Sequence, residues 1–132
     1  MKHSKLYLKI KNWLLELEYN IQFENEQHQT LIIEKESEGI KNMMIVIAPQ
    51  ILILEQFLFR CKNNQNEVYK QLLIKNRDIV HGAFVIDETG EKVIFRDTLQ
   101  TENLDQNELI ATLNSLSLLI SEYSSEMIAF SK

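Results

Sequence analysis

Apolar residues recur along this chain with two different periods, and the changes of period divide it into elements. Leu6, Ile10, Trp13, Leu14 and Leu17 fall at i, i+4, i+7, i+8 and i+11. That is the stripe of an amphipathic helix, predicted from Ser4 to Glu18 with the Ser4 hydroxyl as N-cap. The pattern then shortens. Asn20–Phe23 is a brief extended stretch, Thr30–Lys35 reads as a strand through Leu31, Ile32 and Ile33, and Met43–Ala48 and Ile51–Arg60 are rich in β-branched and aromatic residues. Pro49 and Gln50 supply the turn between the last two, because proline has no N–H for a central ladder. Successive residues are apolar in Met43–Ile47 and Ile51–Leu54, so both faces of the sheet are expected to be covered there, one by this chain's helices and the other by a second copy or a partner.

A second helix is predicted from Asn66, as its cap, to Asn76. Either Val68, Leu72 and Ile79 or Tyr69 and Leu73 face inward. The segment HGAFVIDETGEKVIFRD, residues 81–97, reads as a hairpin. Phe84 and Ile86 point to one side, Ala83 and Val85 to the other, and Val93, Ile94 and Phe95 return. Asp87-Glu88-Thr89-Gly90 begins with Asp and ends with Gly, as type I turns do. The last helix opens with Asp105 and Glu108 in capping-box spacing. Leu109, Leu113, Leu116, Ile120, Tyr123, Met127 and Phe130 then follow at alternating steps of four and three, a heptad seam that Leu118, Leu119 and Ile128 widen. At 1.5 Å per residue this helix would be ~39 Å long, whereas a five-stranded sheet is only ~24 Å across. The helix therefore crosses the sheet diagonally and overhangs, or serves another surface.

The expected fold class is α+β, an antiparallel sheet packed with helices in the order α-β-β-β-α-β-β-α, with residues 1–132 as one domain. A length of 132 residues with 45% hydrophobic and 25% charged residues suits one domain with a real core. The net charge of −5 and scattered basic residues argue against nucleic acid as a partner. Lys2, Lys5, Lys9 and Lys11 read as the solvated face of the first helix. The apolar run Met43–Leu54 is broken by Pro49 and is shorter than the ~20 residues of a membrane span. The first twenty residues read as an amphipathic helix rather than a signal peptide, so the expectation is a cytoplasmic protein without a membrane partner.

Little in the sequence points to catalysis. Cys61 is the only cysteine, and it reads as a small apolar residue at a strand end. His3, His28 and His81 are far apart and the three glycines form no phosphate-binding pattern, so neither a metal nor a cofactor is expected. An acid–base pair of His81 with Asp78 or Asp97 is the one enzymatic reading, and no nucleophile motif accompanies it. Glu24, Glu26, Glu34, Glu36 and Glu38 read as a solvated edge that discourages strand pairing with other molecules.

With the residues IVHGAFVIDETGEKVIFRDTLQTENLDQNEL, the order of elements resembles the YbjN-like proteins, which share a fold with the type III secretion chaperones, the CesT or Tir-chaperone group. The resemblance rests on Gly82-Ala83-Phe84, the acidic turn Asp87–Gly90, the strand ending Phe95-Arg96, and the polar linker before Asp105. It implies an α/β sandwich and a homodimer. The secretion chaperones hold an extended segment of a secreted protein on apolar grooves, and the resemblance brings no catalytic residues. The function expected is a non-enzymatic, chaperone-like protein-binding module. Its interface would be drawn from Ile45, Ile47, Ile51, Ile53 and Phe57 on the strands and Leu113, Leu116, Ile120 and Tyr123 on the last helix, with the alternative that this surface is simply core. The other readings are a regulatory or adaptor protein that adds a partner strand at an open Thr30–Lys35 edge, and a small enzyme using His81.

Overall fold

The structure, a computed structural model, describes residues 2–132, with side chains from Lys5 onward. The first helix, α1 (Lys2–Glu16), already contains Ser4, whose side chain lies outside the described residues. Tyr7, Ile10 and Leu14 are the buried positions of its stripe. Four strands follow, β1 (Asn20–Asn25), β2 (Thr30–Lys35), β3 (Ile40–Ile47) and β4 (Ile51–Arg60). After α2 (Gln65–Asn76) come β5 (Ala83–Ile86) and β6 (Lys92–Gln100), and α3 (Gln106–Phe130) closes the chain. The order is therefore α-β-β-β-β-α-β-β-α: the brief stretch at Asn20 is a full sixth strand that the eight-element expectation left out.

All neighbouring strands are antiparallel, in the order β1-β2-β3-β4-β6-β5. Strand β2 thus lies inside the sheet, between β1 and β3, and Thr30–Lys35 is not an open edge. The edges belong to β1 and β5. Three register shifts, at Gln22, Glu34 and Leu58, bend the strands locally.

One face of the sheet carries all three helices. Leu31, Ile33, Met43, Ile45, Leu52, Leu54, Val93, Phe95 and Phe84 point into a single core with Val68 and Leu72 of α2 and Leu109, Leu113, Leu116 and Leu119 of α3. Of the two inward faces open to α2, the Val68–Leu72 one is used, and Leu73 stands 69% exposed. The cap of α2 is Asn64, in a left-handed conformation, so Asn66 falls inside its first turn. Helix α3 starts as its sequence predicts: Glu108 N–H donates to Asp105 Oδ1 at 2.9 Å, and Asp105 N–H donates to Glu108 Oε2 at 3.2 Å.

The length of α3 is taken up by this chain itself. It crosses β3, β4 and β6, and its last turn reaches the end of β4, where the Phe130 and Phe59 rings are 6.2 Å apart. Lys75 of α2 lies over the Tyr123 and Phe130 rings and pairs with Glu126. Leu118 and Ile128 do not widen the buried seam, because at 59% and 60% exposure they face outward.

Candidate functional site: the uncovered face of the sheet

The opposite face of the sheet carries no helix. Its composition follows from register, because directly opposed residues share a face. One row crosses all six strands as Phe23, Ile32, Met44, Glu55, Arg96 and Ala83. A second runs Thr30, Val46, Ile53 and Thr98. A third runs Phe57, Ile94 and Val85. None of these residues is buried, and Phe57, Phe23 and Met44 are 53%, 47% and 38% exposed. A contiguous apolar surface on this scale is a feature of interaction sites rather than of an idle exterior.

One ion pair stands inside the apolar rows. Arg96 Nη1 donates to Glu55 Oε1 from the directly opposed position. In this half-exposed setting the pair contributes little to stability. It gives the face a polar feature of fixed position, which is what sets register in an otherwise greasy contact.

The structure separates the residues singled out from sequence. Ile45, Ile47, Leu113 and Leu116 lie in the core and have almost no surface to offer a partner. Ile120 and Tyr123 are half-buried against that core. Ile51, Ile53 and Phe57 belong to the uncovered face. The division is one of parity: the hairpin pairs Ile47 with Leu52 and Val46 with Ile53, so alternate residues of one apolar run go to opposite faces. Phe23, Ile32, Met44, Val46, Val85 and Ile94 were missed. Their signal was present as alternation within each strand, but only pairing shows that they meet.

The residues of the enzymatic reading do not form an acid–base pair, although Asp78 and His81 line one groove. Asp97 Oδ2 accepts from Thr112 Oγ1 at 2.7 Å, and Asp97 Oδ1 accepts the Thr98 N–H at 2.9 Å, which fastens α3 to β6. His81 is exposed, and its backbone carbonyl accepts the Ser115 hydroxyl at 2.6 Å. Among the described residues no hydrogen bond joins His81 to Asp78 or Asp97. No group of three or more His, Cys, Asp or Glu among them is placed to hold a metal ion. Cys61 is fully buried just beyond β4, and burial pushes its thiol pKa up. In the β5–β6 turn, Gly90 N–H donates to the Asp87 carbonyl at 3.0 Å, with Gly90 at φ 78°. Asp87 is held below the usual carboxylate range first by the Thr89 hydroxyl, which donates to it at 2.7 Å.

Helices on one face of a six-stranded antiparallel sheet, with the other face apolar and open, define a fold of the type III secretion chaperone kind. The chain belongs to the CesT_Tir_1 family, which it matches over residues 3–132. Its fold is similar to that of YbjN from E. coli, with a TM-score of 0.71 at 13% identity over 91% of this chain and 92% of that one. It is similar also to a chain of the HopA1–SchA chaperone–effector complex, with a TM-score of 0.62 at 14% identity over 96% and 94% of the two chains. No curated protein sequence matches it. Among the described residues no helix is long and apolar enough to cross a membrane.

Proposed function

We propose that this chain is a non-enzymatic, chaperone-like binding module of the cytoplasm that forms a homodimer and holds a segment of a partner protein on the uncovered face of its sheet. The observation that carries the reading is that face, with Phe57, Ile53, Met44 and Phe23 accessible around the Glu55–Arg96 pair. Its six strands span ~24 Å between the outermost ones, a width of the order needed for the ~800 Å² per partner of a standard interface. Family membership and the likeness to a chain of a chaperone–effector complex support a protein as the occupant.

The dimer contact belongs to α2 in this reading. That helix is apolar on two sides: Val68 and Leu72 face the core, while Leu73 and Ile74 are 69% and 48% exposed. Lys70 and Arg77 lie beside the exposed pair. Two-fold dimers of this self-matching kind are the commonest soluble oligomers.

Two measurements test the reading together. Sedimentation at micromolar concentration is expected to give a dimer, and Leu73→Asp a monomer. Capture with the tagged chain from its own cells, against an unrelated acidic protein of equal size, is expected to recover one or two stoichiometric proteins. A monomeric wild-type chain that recovers nothing beyond the control would contradict it.

A further inference from the structure

On the helical layer, away from the sheet face, the connection from α2 to β5 lies beside the middle of α3 and leaves a groove of about 250 Å³ between them. Its floor is apolar, from Ile79, Leu119 and Tyr123. Its two walls are Val80 and Leu118, which are 84% and 59% exposed and face the same opening. The walls are held in place, because the Ser115 hydroxyl on α3 donates to the His81 carbonyl on the connection at 2.6 Å. Two bulky aliphatic side chains in water beside a preformed apolar floor are a surface that gains by being covered.

Asp78 and Glu122 line the groove together with His81, and no lysine or arginine does, so its two fixed charges are both negative. Among the described residues neither carboxylate belongs to an ion pair. Lys75, which lies over the Tyr123 ring, is already committed to Glu126 and to the rings of Tyr123 and Phe130. The volume falls below the range of ~300–1,000 Å³ typical of small-molecule sites and suits one large side chain, or two, from a peptide.

We propose that this groove docks a peptide segment that presents a large apolar side chain flanked by lysine or arginine. The apolar residue enters between Val80 and Leu118, and its basic neighbours meet Asp78 and Glu122. Opposite charge at the rim selects such segments over acidic ones and fixes their placement. The inference does not depend on the sheet face, which lies on the other side of the sheet from the helices.

The test uses the full chain with labelled methyl groups and two probe peptides, blocked at both ends: Gly-Lys-Leu-Phe-Arg-Gly and Gly-Glu-Leu-Phe-Glu-Gly. The basic peptide is expected to shift the Val80 and Leu118 methyl signals saturably, and the acidic one to bind at least tenfold more weakly. The double variant Asp78→Asn, Glu122→Gln is expected to abolish that preference while the Leu54 core methyl signal stays in place. Absence of any shift, equal shifts with both peptides, or a preference that survives the double variant would overturn the proposal. Shifts confined to Met44 and Ile53 would also overturn it, and would leave the sheet-face reading standing.

Discussion

Asn76, the last residue of α2, pairs with Phe84 of β5 as a neighbouring strand would. Phe84 N–H donates to Asn76 Oδ1 at 2.8 Å, and Asn76 Nδ2 donates to the Phe84 carbonyl at 3.2 Å. Ladder bonding on the other side of β5 goes to β6 through the pairs Ala83–Arg96 and Val85–Ile94. The side-chain amide therefore satisfies the backbone groups that an edge strand ordinarily leaves open to other molecules. Asn76→Ala is expected to destabilise the chain by about 1–3 kcal/mol, since two half-buried groups lose their partner. The Phe84 amide would exchange faster in the variant, and unchanged exchange there would show that Asn76 does not guard the edge.

Gly82 stands at φ +83° against the Phe95 ring, so closely that an added Cβ would lie 2.6 Å from Phe95 Cε1. Phe95 is fully buried, so its ring can shift only by disturbing the packed core around it. Gly82→Ala combines a positive φ with overpacking and is expected to cost about 2–4 kcal/mol. Denaturant unfolding reads this as a lower midpoint at unchanged slope.

The phenol of Tyr19 is pushed up to about 12, first by burial and then by the nearby Glu38 carboxylate. A raised pKa means that the folded chain holds the proton more tightly than the unfolded one. Its contribution to stability is therefore full below the unfolded value of 10.0 and is lost as pH rises through about 12. Tyr19→Phe is expected to flatten the fall in stability between pH 10 and 12. An identical alkaline fall in both proteins would contradict this.

Asp105→Ala removes the acceptor for the Glu108 N–H and opens the capping box of α3. The expected loss is about 1 kcal/mol. Thermal unfolding should show it, and Asp105→Ser should restore most of it.

Much of this fold is legible from local pattern. Helix α3 declares itself through its seam and its Asp105–Glu108 start, and β4 through its run of branched and aromatic residues. These are signals carried within a single element. What stayed hidden depends on two elements at once. Ile45 and Ile53 look equivalent in sequence, yet β3–β4 pairing sends Ile45 to the core opposite Leu54 and Ile53 to the open face opposite Val46. The strand at Thr30–Lys35 looks like an edge because Asn20–Phe23 is a weak strand by composition. Pairing with β2 recruits that segment and extends it to Asn25. Leu118 and Ile128 fit the helical spacing of a wide stripe, but a helix on one sheet buries a narrower one. The uncovered face was only partly foreseen for the same reason: sequence showed that two strands were apolar on both sides, and the structure shows which side this chain's helices leave bare.

The central claim is that this face holds a partner protein. The most direct measurement is capture from the protein's own cells with the wild-type chain, Phe57→Glu and Leu15→Glu in parallel. Phe57 and Leu15 are exposed to similar degrees, 53% and 52%, so both variants are expected to fold. Phe57 lies on the open sheet face and Leu15 on α1. A stoichiometric partner recovered by the wild-type chain is expected to be lost with Phe57→Glu and kept with Leu15→Glu. Equal recovery by all three would contradict it.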